Sequence, residues 1–206
     1  MQHPNLQFYR NYDDDYTSCS LSDGKLSSRS QFDFRSFSSV RFNRLAICLD
    51  LDNTLIFSTT TAPPLSDFII RACGEDIFVI KRPYLDHFLS EISKIADIYL
   101  FTSAEKEYAD QILEYLDPLD TIFKKKFYRD SCKYVNGVYV KDLSVCGVDL
   151  SKIAIVDDYI NSCLTPSNRI LVRPFFGYPN DNELNRVSLI IKQFLYVKDI
   201  RTVLNK

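Results

Sequence analysis

Four short runs of uninterrupted apolar residues organise the chain. Leu45-Ala46-Ile47-Cys48-Leu49 ends at Asp50, Ile98-Tyr99-Leu100-Phe101 ends at Thr102, and Ile153-Ala154-Ile155-Val156 ends at Asp157-Asp158. Ile170-Leu171-Val172 is a shorter fourth case. Continuous rather than alternating apolar residues predict strands buried on both faces of a parallel sheet. Between them the period changes. Leu85, Phe88, Leu89, Ile92 and Ile95 follow helical spacing after Pro83, a good first-turn residue. Ala104, Tyr108, Ile112 and Leu116 do the same before Pro118, and Leu184, Val187, Ile191, Phe194 and Leu195 predict a C-terminal amphipathic helix. Strands alternating with helices predict a doubly wound α/β domain with a mostly parallel sheet.

Two short insertions break this alternation. Asp67 to Ile70 and Ile77 to Ile80 predict a small β-hairpin between the first strand and its helix. Tyr134 to Val140 carries Asn136-Gly137 between β-formers, a strong hairpin signal because both residues tolerate positive φ. Lys124-Lys125-Lys126 predicts a solvated loop, with attraction of an acidic phosphopeptide as the sharper reading. His87 falls on the exposed side of its helix.

Residues 1–43 have a different texture. Nine serines fall between Ser18 and Ser39, beside Asp13-Asp14-Asp15 and scattered Arg and Lys, while apolar residues are mostly isolated aromatics. This composition predicts a flexible tail, with phosphorylation of serines near arginines as the regulatory alternative. The folded domain is expected over residues 44–206.

The 206 residues carry 46% hydrophobic side chains, including 13 Tyr and 15 Phe, which is ample for one core and too little chain for two comfortable domains. A net charge of −2 argues against a general nucleic-acid binder, so no direct nucleic-acid partner is expected. The six cysteines are scattered with no C-x-x-C pair, and there are two histidines. That excludes a clustered zinc site and predicts reduced thiols in an intracellular protein, nuclear or cytoplasmic. No apolar run is long enough to span a bilayer, so no membrane partner is expected.

The chemistry is carried by the polar residues just beyond the strands. Ligands of open parallel sheets bind outside the carboxyl ends of the strands. Here those ends present Asp50-Leu51-Asp52-Asn53-Thr54, Thr102-Ser103 and Asp157-Asp158, and Lys141 comes directly after the second hairpin. The set suits phosphoryl transfer, which needs a nucleophile, a cation and donors for the equatorial oxygens. Asp50 is placed to attack phosphorus. Asp52 is placed to protonate the leaving oxygen and later to deprotonate water. Magnesium needs few protein oxygens, and Asp50, Asp158 and one backbone carbonyl suffice. Thr102 and Lys141 are expected at the phosphoryl oxygens, and Asp157 as a support for Asp158.

Asp50-Leu51-Asp52-Asn53-Thr54-Leu55, Leu100-Phe101-Thr102-Ser103-Ala104, Tyr139-Val140-Lys141-Asp142-Leu143-Ser144 and Ile155-Val156-Asp157-Asp158 resemble the four motifs of the FCP/SCP-type phosphatases of the haloacid dehalogenase superfamily. Lys81-Arg82-Pro83 and Phe127-Tyr128-Arg129-Asp130-Ser131-Cys132 are similar to that family's connecting segments. The resemblance runs from about Arg44 to the C-terminus. It implies a haloacid-dehalogenase-like fold and magnesium-dependent hydrolysis of phosphoserine or phosphothreonine on proteins. The leading candidate partner it implies is the C-terminal domain of RNA polymerase II. It further implies Asp50 as nucleophile and Asp52 as acid–base, with metal held by Asp50, the Asp52 carbonyl and Asp158. Phosphate would be bound by Thr102, Lys141 and Thr54, and substrate contacted by Arg129. One departure is that the small CTD phosphatases have Asn where this chain has Asp158. The gaps from Thr54 to Pro83 and from Thr102 to Lys141 are too short for a large cap domain, which suits a phosphate displayed on a polypeptide.

Three other readings compete. A pseudophosphatase would bind phosphoprotein without turnover, and a small-molecule phosphatase of the same superfamily would borrow a lid from a partner. Cys163 to Arg169 also matches the C-x5-R spacing of cysteine-dependent phosphatases. Pro166 removes an N–H from that loop and no Gly relaxes it.

Overall fold

The computed structural model describes residues 44–72 and 74–205; the tail expected over residues 1–43 lies outside them. In chain order the elements are β1 (Leu45–Leu49), β2 (Ile56–Thr59), β3 (Phe68–Ala72), β4 (Glu75–Lys81), α1 (Leu85–Ile95), β5 (Ala96–Phe101), α2 (Lys106–Leu116), β6 (Phe123–Phe127), β7 (Lys133–Val135), β8 (Val138–Val140), β9 (Ile153–Asp157), β10 (Arg169–Leu171), α3 (Glu183–Gln193) and the short α4 (Arg201–Leu204). A five-stranded sheet has the order β10-β9-β1-β5-β6, and every neighbouring pair is parallel. From β1 the chain first builds outward through β5 and β6, then returns to the other side of β1 for β9 and β10. The order therefore reverses beside β1, which is where α/β sheets open a crevice.

The apolar runs read as strands because both sides of each strand are covered. Leu45, Ile47 and Leu49 face a core shared with Phe88 and Ile92 of α1, Ile112 of α2 and Val187 of α3. Ala46 and Cys48 face a second, smaller core with Tyr99, Phe101, Ile153, Ile155, Leu143 and Cys146. The first face is roofed by long helices. The second is covered by 3-10 turns, such as Leu143–Cys146, and by loops.

Three local expectations change. The first insertion is a three-stranded antiparallel sheet in the order β2-β4-β3, because Ile56–Thr59 pairs across β4 in addition to the expected hairpin. The triple lysine is not a solvated loop but the middle of β6, an edge strand. Lys124 pairs with Asp97, Lys126 with Asp120, and Lys125 donates to the Cys146 carbonyl while lying over the Tyr99 ring. Lysines on an edge strand discourage pairing with other chains. The last long helix stops at Gln193, where the backbone tightens into a 3-10 turn over Phe194–Tyr196; Phe194 is buried and Leu195 is half exposed. The second hairpin forms over Lys133–Val140 with Asn136 and Gly137 both at positive φ, as its turn chemistry requires.

One buried cation ties the site loop to the rest of the domain. Arg82 is almost wholly buried, and its guanidinium donates to the Thr54 carbonyl at 3.0 Å, the Arg173 carbonyl at 2.7 Å and both oxygens of Asp181. The loop after β1 and the segment before α3 are thereby pinned to one side chain.

Candidate active site

Strand register brings the polar strand ends together. Leu49 pairs with both Leu100 and Val156, so Asp50, Thr102 and Asp157 emerge side by side at the carboxyl edge. The loop after β1 then turns sharply. The Leu51 carbonyl accepts from the N–H groups of Thr54, Leu55 and Ile56, and Asn53 takes φ of 56°, a left-handed conformation asparagine tolerates. Asn53 is locked there by reciprocal bonds with the Phe175 backbone, at 2.9 and 2.7 Å. Asp50, Asp52 and Thr54 are presented by this one turn. Lys141 arrives from outside the sheet: its N–H donates to the Ser162 carbonyl at 2.6 Å and its carbonyl accepts from Leu164, fixing it against the loop after β9.

The centre is a dense charge cluster. Lys141 Nζ lies 2.6 Å from Asp50 Oδ1 and 2.6 Å from Asp157 Oδ2, with all three side chains buried. Burial alone would lower the Lys141 ammonium, and the Asp50 and Asp157 carboxylates more than reverse it, so it stays charged. Asp50 moves the other way. Burial, joined by the charges of Asp157 and Asp52 and opposed by Lys141, pushes it up to about 7. Burial and Asp157 also raise Asp158. Oxygens of Asp50, Asp157 and Asp158 lie within 4.8 Å of one another. Three carboxylates around one ammonium leave negative charge in excess, and all the donors are hard oxygens. The residues present therefore fit a small divalent cation such as magnesium.

Two clefts meet at Asp52. One, of about 310 Å³, is lined by Asp50, Asp52, Thr102, Lys141, Asp157, Asp158 and the hairpin residues Gly137 to Tyr139. The other, of about 690 Å³, is lined by Asp52, Tyr108, Ile77, Arg71 and Arg129 among others. Burial pushes the Asp52 carboxyl up, and hydrogen bonds from Tyr108 and Ser58 pull it back. Burial and the neighbouring Asp52 raise the Tyr108 phenol, which stays protonated and can donate. Thr102 is buried; its Oγ1 accepts from the Ala104 N–H at 3.0 Å, leaving the hydroxyl proton to point elsewhere.

The sequence-predicted residues are therefore brought together, with two changes of place. Thr54 was expected at phosphate, but its hydroxyl is fully buried and turned to Asp50 Oδ2 at 3.1 Å, with Asp158 Oδ1 at 3.4 Å. It orients the carboxylates from behind. Arg129 stands on the rim of the larger cleft, where Nε donates to the Ser103 carbonyl, Nη1 pairs with Glu105 at 2.6 Å, and the group lies over the Tyr139 ring. Two residues were missed. Asp157 holds Lys141 directly rather than only supporting Asp158, and Tyr108 grips Asp52. The Cys163 loop is no phosphate cradle: Leu164 N–H goes to the Lys141 carbonyl, Thr165 N–H to Cys163 Sγ and Asn168 N–H to the Thr165 carbonyl, and Cys163 is buried.

Carboxylates and a lysine thus converge at the carboxyl edge of an open parallel α/β sheet. The fission yeast RNA polymerase II CTD phosphatase Fcp1, solved with beryllium fluoride, superposes with a TM-score of 0.54 at 20% identity, covering 75% of this chain and 50% of that one. The family model for NLI interacting factor-like phosphatases matches residues 45–201, and the chain belongs to that family. The nuclear envelope morphology protein 1 of Schizosaccharomyces pombe is 35% identical over 78% of this chain and 35% of its own length. The human carboxy-terminal domain RNA polymerase II polypeptide A small phosphatase 2 is 33% identical over 79% of this chain and 62% of its own. The chain thus spans only about one third to two thirds of these two relatives. No described helix is long and apolar enough to cross a membrane.

Proposed function

We propose that the chain hydrolyses phosphoserine or phosphothreonine on proteins through an aspartyl-phosphate on Asp50, with magnesium bound. The observation that carries this reading is the contact of Asp50 Oδ1 with Lys141 Nζ at 2.6 Å, beside Thr102, at the carboxyl edge of the sheet. The phosphoryl group occupies the smaller cleft. Lys141 has three N–H donors and spends two on Asp50 and Asp157, so the third serves a phosphoryl oxygen. The free proton of Thr102 serves another.

Asp50 attacks phosphorus in line and forms a phospho-aspartate as the bond to the leaving oxygen breaks. Asp52, at the boundary of the two clefts, gives that oxygen a proton. Asp52 then takes a proton from water, which attacks the phospho-aspartate, releases inorganic phosphate and restores Asp50. Magnesium would be held by Asp50, Asp158 and the Asp52 backbone carbonyl, and when bound it neutralises phosphate charge. The larger cleft lies beyond Asp52 on the side of the leaving group, with room for the residue that bore the phosphate and its neighbours. The named relatives support a polypeptide substrate, the RNA polymerase II C-terminal domain being the first candidate. The name of the S. pombe relative supports association with the nucleus.

The test is turnover of p-nitrophenyl phosphate by purified protein, with magnesium and with EDTA, beside Asp50→Asn. The expected result is magnesium-dependent turnover that falls by about 10³-fold or more in the variant. Phosphopeptides and sugar phosphates, run in parallel, separate a protein phosphatase from a small-molecule one. A well-folded wild type that binds phosphopeptide without turning it over would replace this reading by a binding role.

A further inference from the structure

We propose that Tyr108, supported by Ser58, is the positioning residue of the acid–base aspartate: its phenol fixes Asp52 Oδ1 and leaves Oδ2 for the substrate's leaving oxygen. Three separate elements meet at this point. Asp52 lies in the loop after β1, Ser58 in β2 and Tyr108 in the first turns of α2. The Tyr108 hydroxyl donates to Asp52 Oδ1 at 2.6 Å, a short distance of the kind formed with a charged acceptor. Ser58 Oγ lies 2.8 Å from the Tyr108 hydroxyl and 3.4 Å from Asp52 Oδ1. Each hydroxyl has one proton: Tyr108 gives its own to the carboxylate, and the Ser58 proton is shared between the Tyr108 oxygen and Asp52 Oδ1. Among the described residues, Asp52 Oδ2 accepts no hydrogen bond.

The direction of the grip matters. Tyr108 lines the larger cleft and not the one that holds Asp50, Thr102 and Lys141. It therefore holds Asp52 from the side away from the nucleophile, where it can set the rotamer without occupying the phosphoryl site. A carboxylate on a sharp turn with a left-handed neighbour has no helix or strand of its own to fix it, and general acid catalysis needs its proton within hydrogen-bond reach of the leaving oxygen. Tyr108 spans from a packed helix to that turn. The helix itself is secured by Ile112, Leu113 and Leu116 in the main core.

The assignment rests on the phosphatase reading and makes a demand that a merely structural tyrosine would not. An alkoxide leaves poorly without a proton, whereas p-nitrophenolate leaves well without one. The constant to compare is kcat/KM, which ends at phosphoryl transfer to Asp50 and excludes the later water attack. In Tyr108→Phe, kcat/KM on a phosphoserine peptide should fall by about 10- to 100-fold. The fall on p-nitrophenyl phosphate should be at least about tenfold smaller, because general acid assistance there has less to supply. Ser58→Ala should show the same inequality with smaller factors. Asp52→Asn is the reference, and thermal melts confirm that each variant is folded. Equal losses on both substrates in Tyr108→Phe, or no loss on either, would overturn the assignment while an Asp52→Asn loss left the phosphatase reading standing. Full phosphoserine activity in Asp52→Asn would overturn the acid–base reading and the Tyr108 assignment with it.

Discussion

Asp50 and Asp52 stand two residues apart on one turn, yet the regions around them are built by opposite rules. Around Asp50 the contacts are mainly ionic: Lys141 bridges it to Asp157, Asp158 lies beside them, and among the described residues a hidden Thr54 hydroxyl is its neutral side-chain partner. Around Asp52 the partners are neutral hydroxyls, Tyr108 and Ser58. In the proposed reaction the first arrangement keeps a fixed positive charge where phosphate would sit, while burial and the neighbouring carboxylates push the Asp50 carboxyl up. The second leaves a carboxyl whose proton is not claimed by a neighbouring cation. In the proposed mechanism two identical side chains would take two roles through environment alone, which is how titratable pairs are assigned acid and nucleophile duties elsewhere.

Removing the ammonium tests the ionic side most severely. Lys141→Met leaves Asp50, Asp157 and Asp158 facing each other in a buried site. Turnover should fall by about 10²- to 10³-fold, since one preorganised donor to the developing charge is lost. The metal-free protein should also lose about 3–5 kcal/mol of stability in urea denaturation, because one partner of a buried ion pair is gone. An equally stable variant would mean that the carboxylates are solvated and the cluster is not the closed ionic centre described.

Protonation gives a gentler probe of the same contrast. Asp50 titrates near 7 in the folded chain, above its unfolded value of 3.8. A carboxyl raised on folding binds its proton more tightly in the native state. Its cost to stability is therefore absent below the unfolded pKa, grows between about pH 4 and pH 7, and is constant above. Asp50→Asn removes that dependence. In EDTA the melting temperature of the variant should gain on wild type by several degrees on going from pH 4.5 to pH 7.5. Lys141 is charged throughout this window, and its attraction for the Asp50 carboxylate is already contained in the Asp50 pKa, so the Asp50 proton alone separates the two ends. A difference that does not change with pH would show that Asp50 ionises normally in the apo protein.

The ionic side of the site was far more legible in the sequence than the neutral side. Strands buried on both faces announce themselves as apolar runs, and the residues that end those runs, Asp50, Thr102 and Asp157-Asp158, can be read off without knowing strand order. The β1–β9 adjacency that makes the crevice comes from topology. Other features were hidden for physical reasons. In β6 the Phe123-Lys-Lys-Lys-Phe127 sequence lacks apolar continuity because an edge strand needs less cover, and its lysines find partners from three different segments. Strand β2 is held by pairing with β4, a contact between residues about twenty positions apart or more, from Thr59 with Phe78 to Ile56 with Lys81. Tyr108 was legible as part of a helical apolar stripe with Ile112 and Leu116, and its ring does pack against the main core. Only the phenolic tip leaves that stripe, and periodicity does not register one atom. Its position in the first turns of a helix that begins at the carboxyl edge was the available signal. Thr54 was misplaced for the converse reason: a hydroxyl four residues after the nucleophile can face phosphate or face back, and the turn at Asn53 turns it back.

The finest test of the contrast is Asp158→Asn, which changes one atom's charge and little else. Asp158 is half buried, and burial together with the Asp157 charge already raises its carboxyl. It adds negative charge to a cluster in which Lys141 is the sole buried cation among the residues lining the smaller cleft. Asparagine keeps an oxygen for a hard cation and keeps an acceptor for the Thr54 hydroxyl, so the geometry should survive. The loss of charge pulls in two directions: attraction for magnesium weakens, and repulsion of an incoming phosphate dianion eases. The variant should need about two- to tenfold more magnesium for half-maximal activity, with kcat at saturating magnesium changed by less than about threefold. KM for a phosphopeptide should move down rather than up. A magnesium titration of phosphatase activity measures the first quantity and initial rates at saturation measure the others. An unchanged magnesium requirement with a collapsed kcat would instead place Asp158 among the groups that act on the phosphoryl group itself, and the boundary between the ionic and neutral regions would have to be redrawn around it.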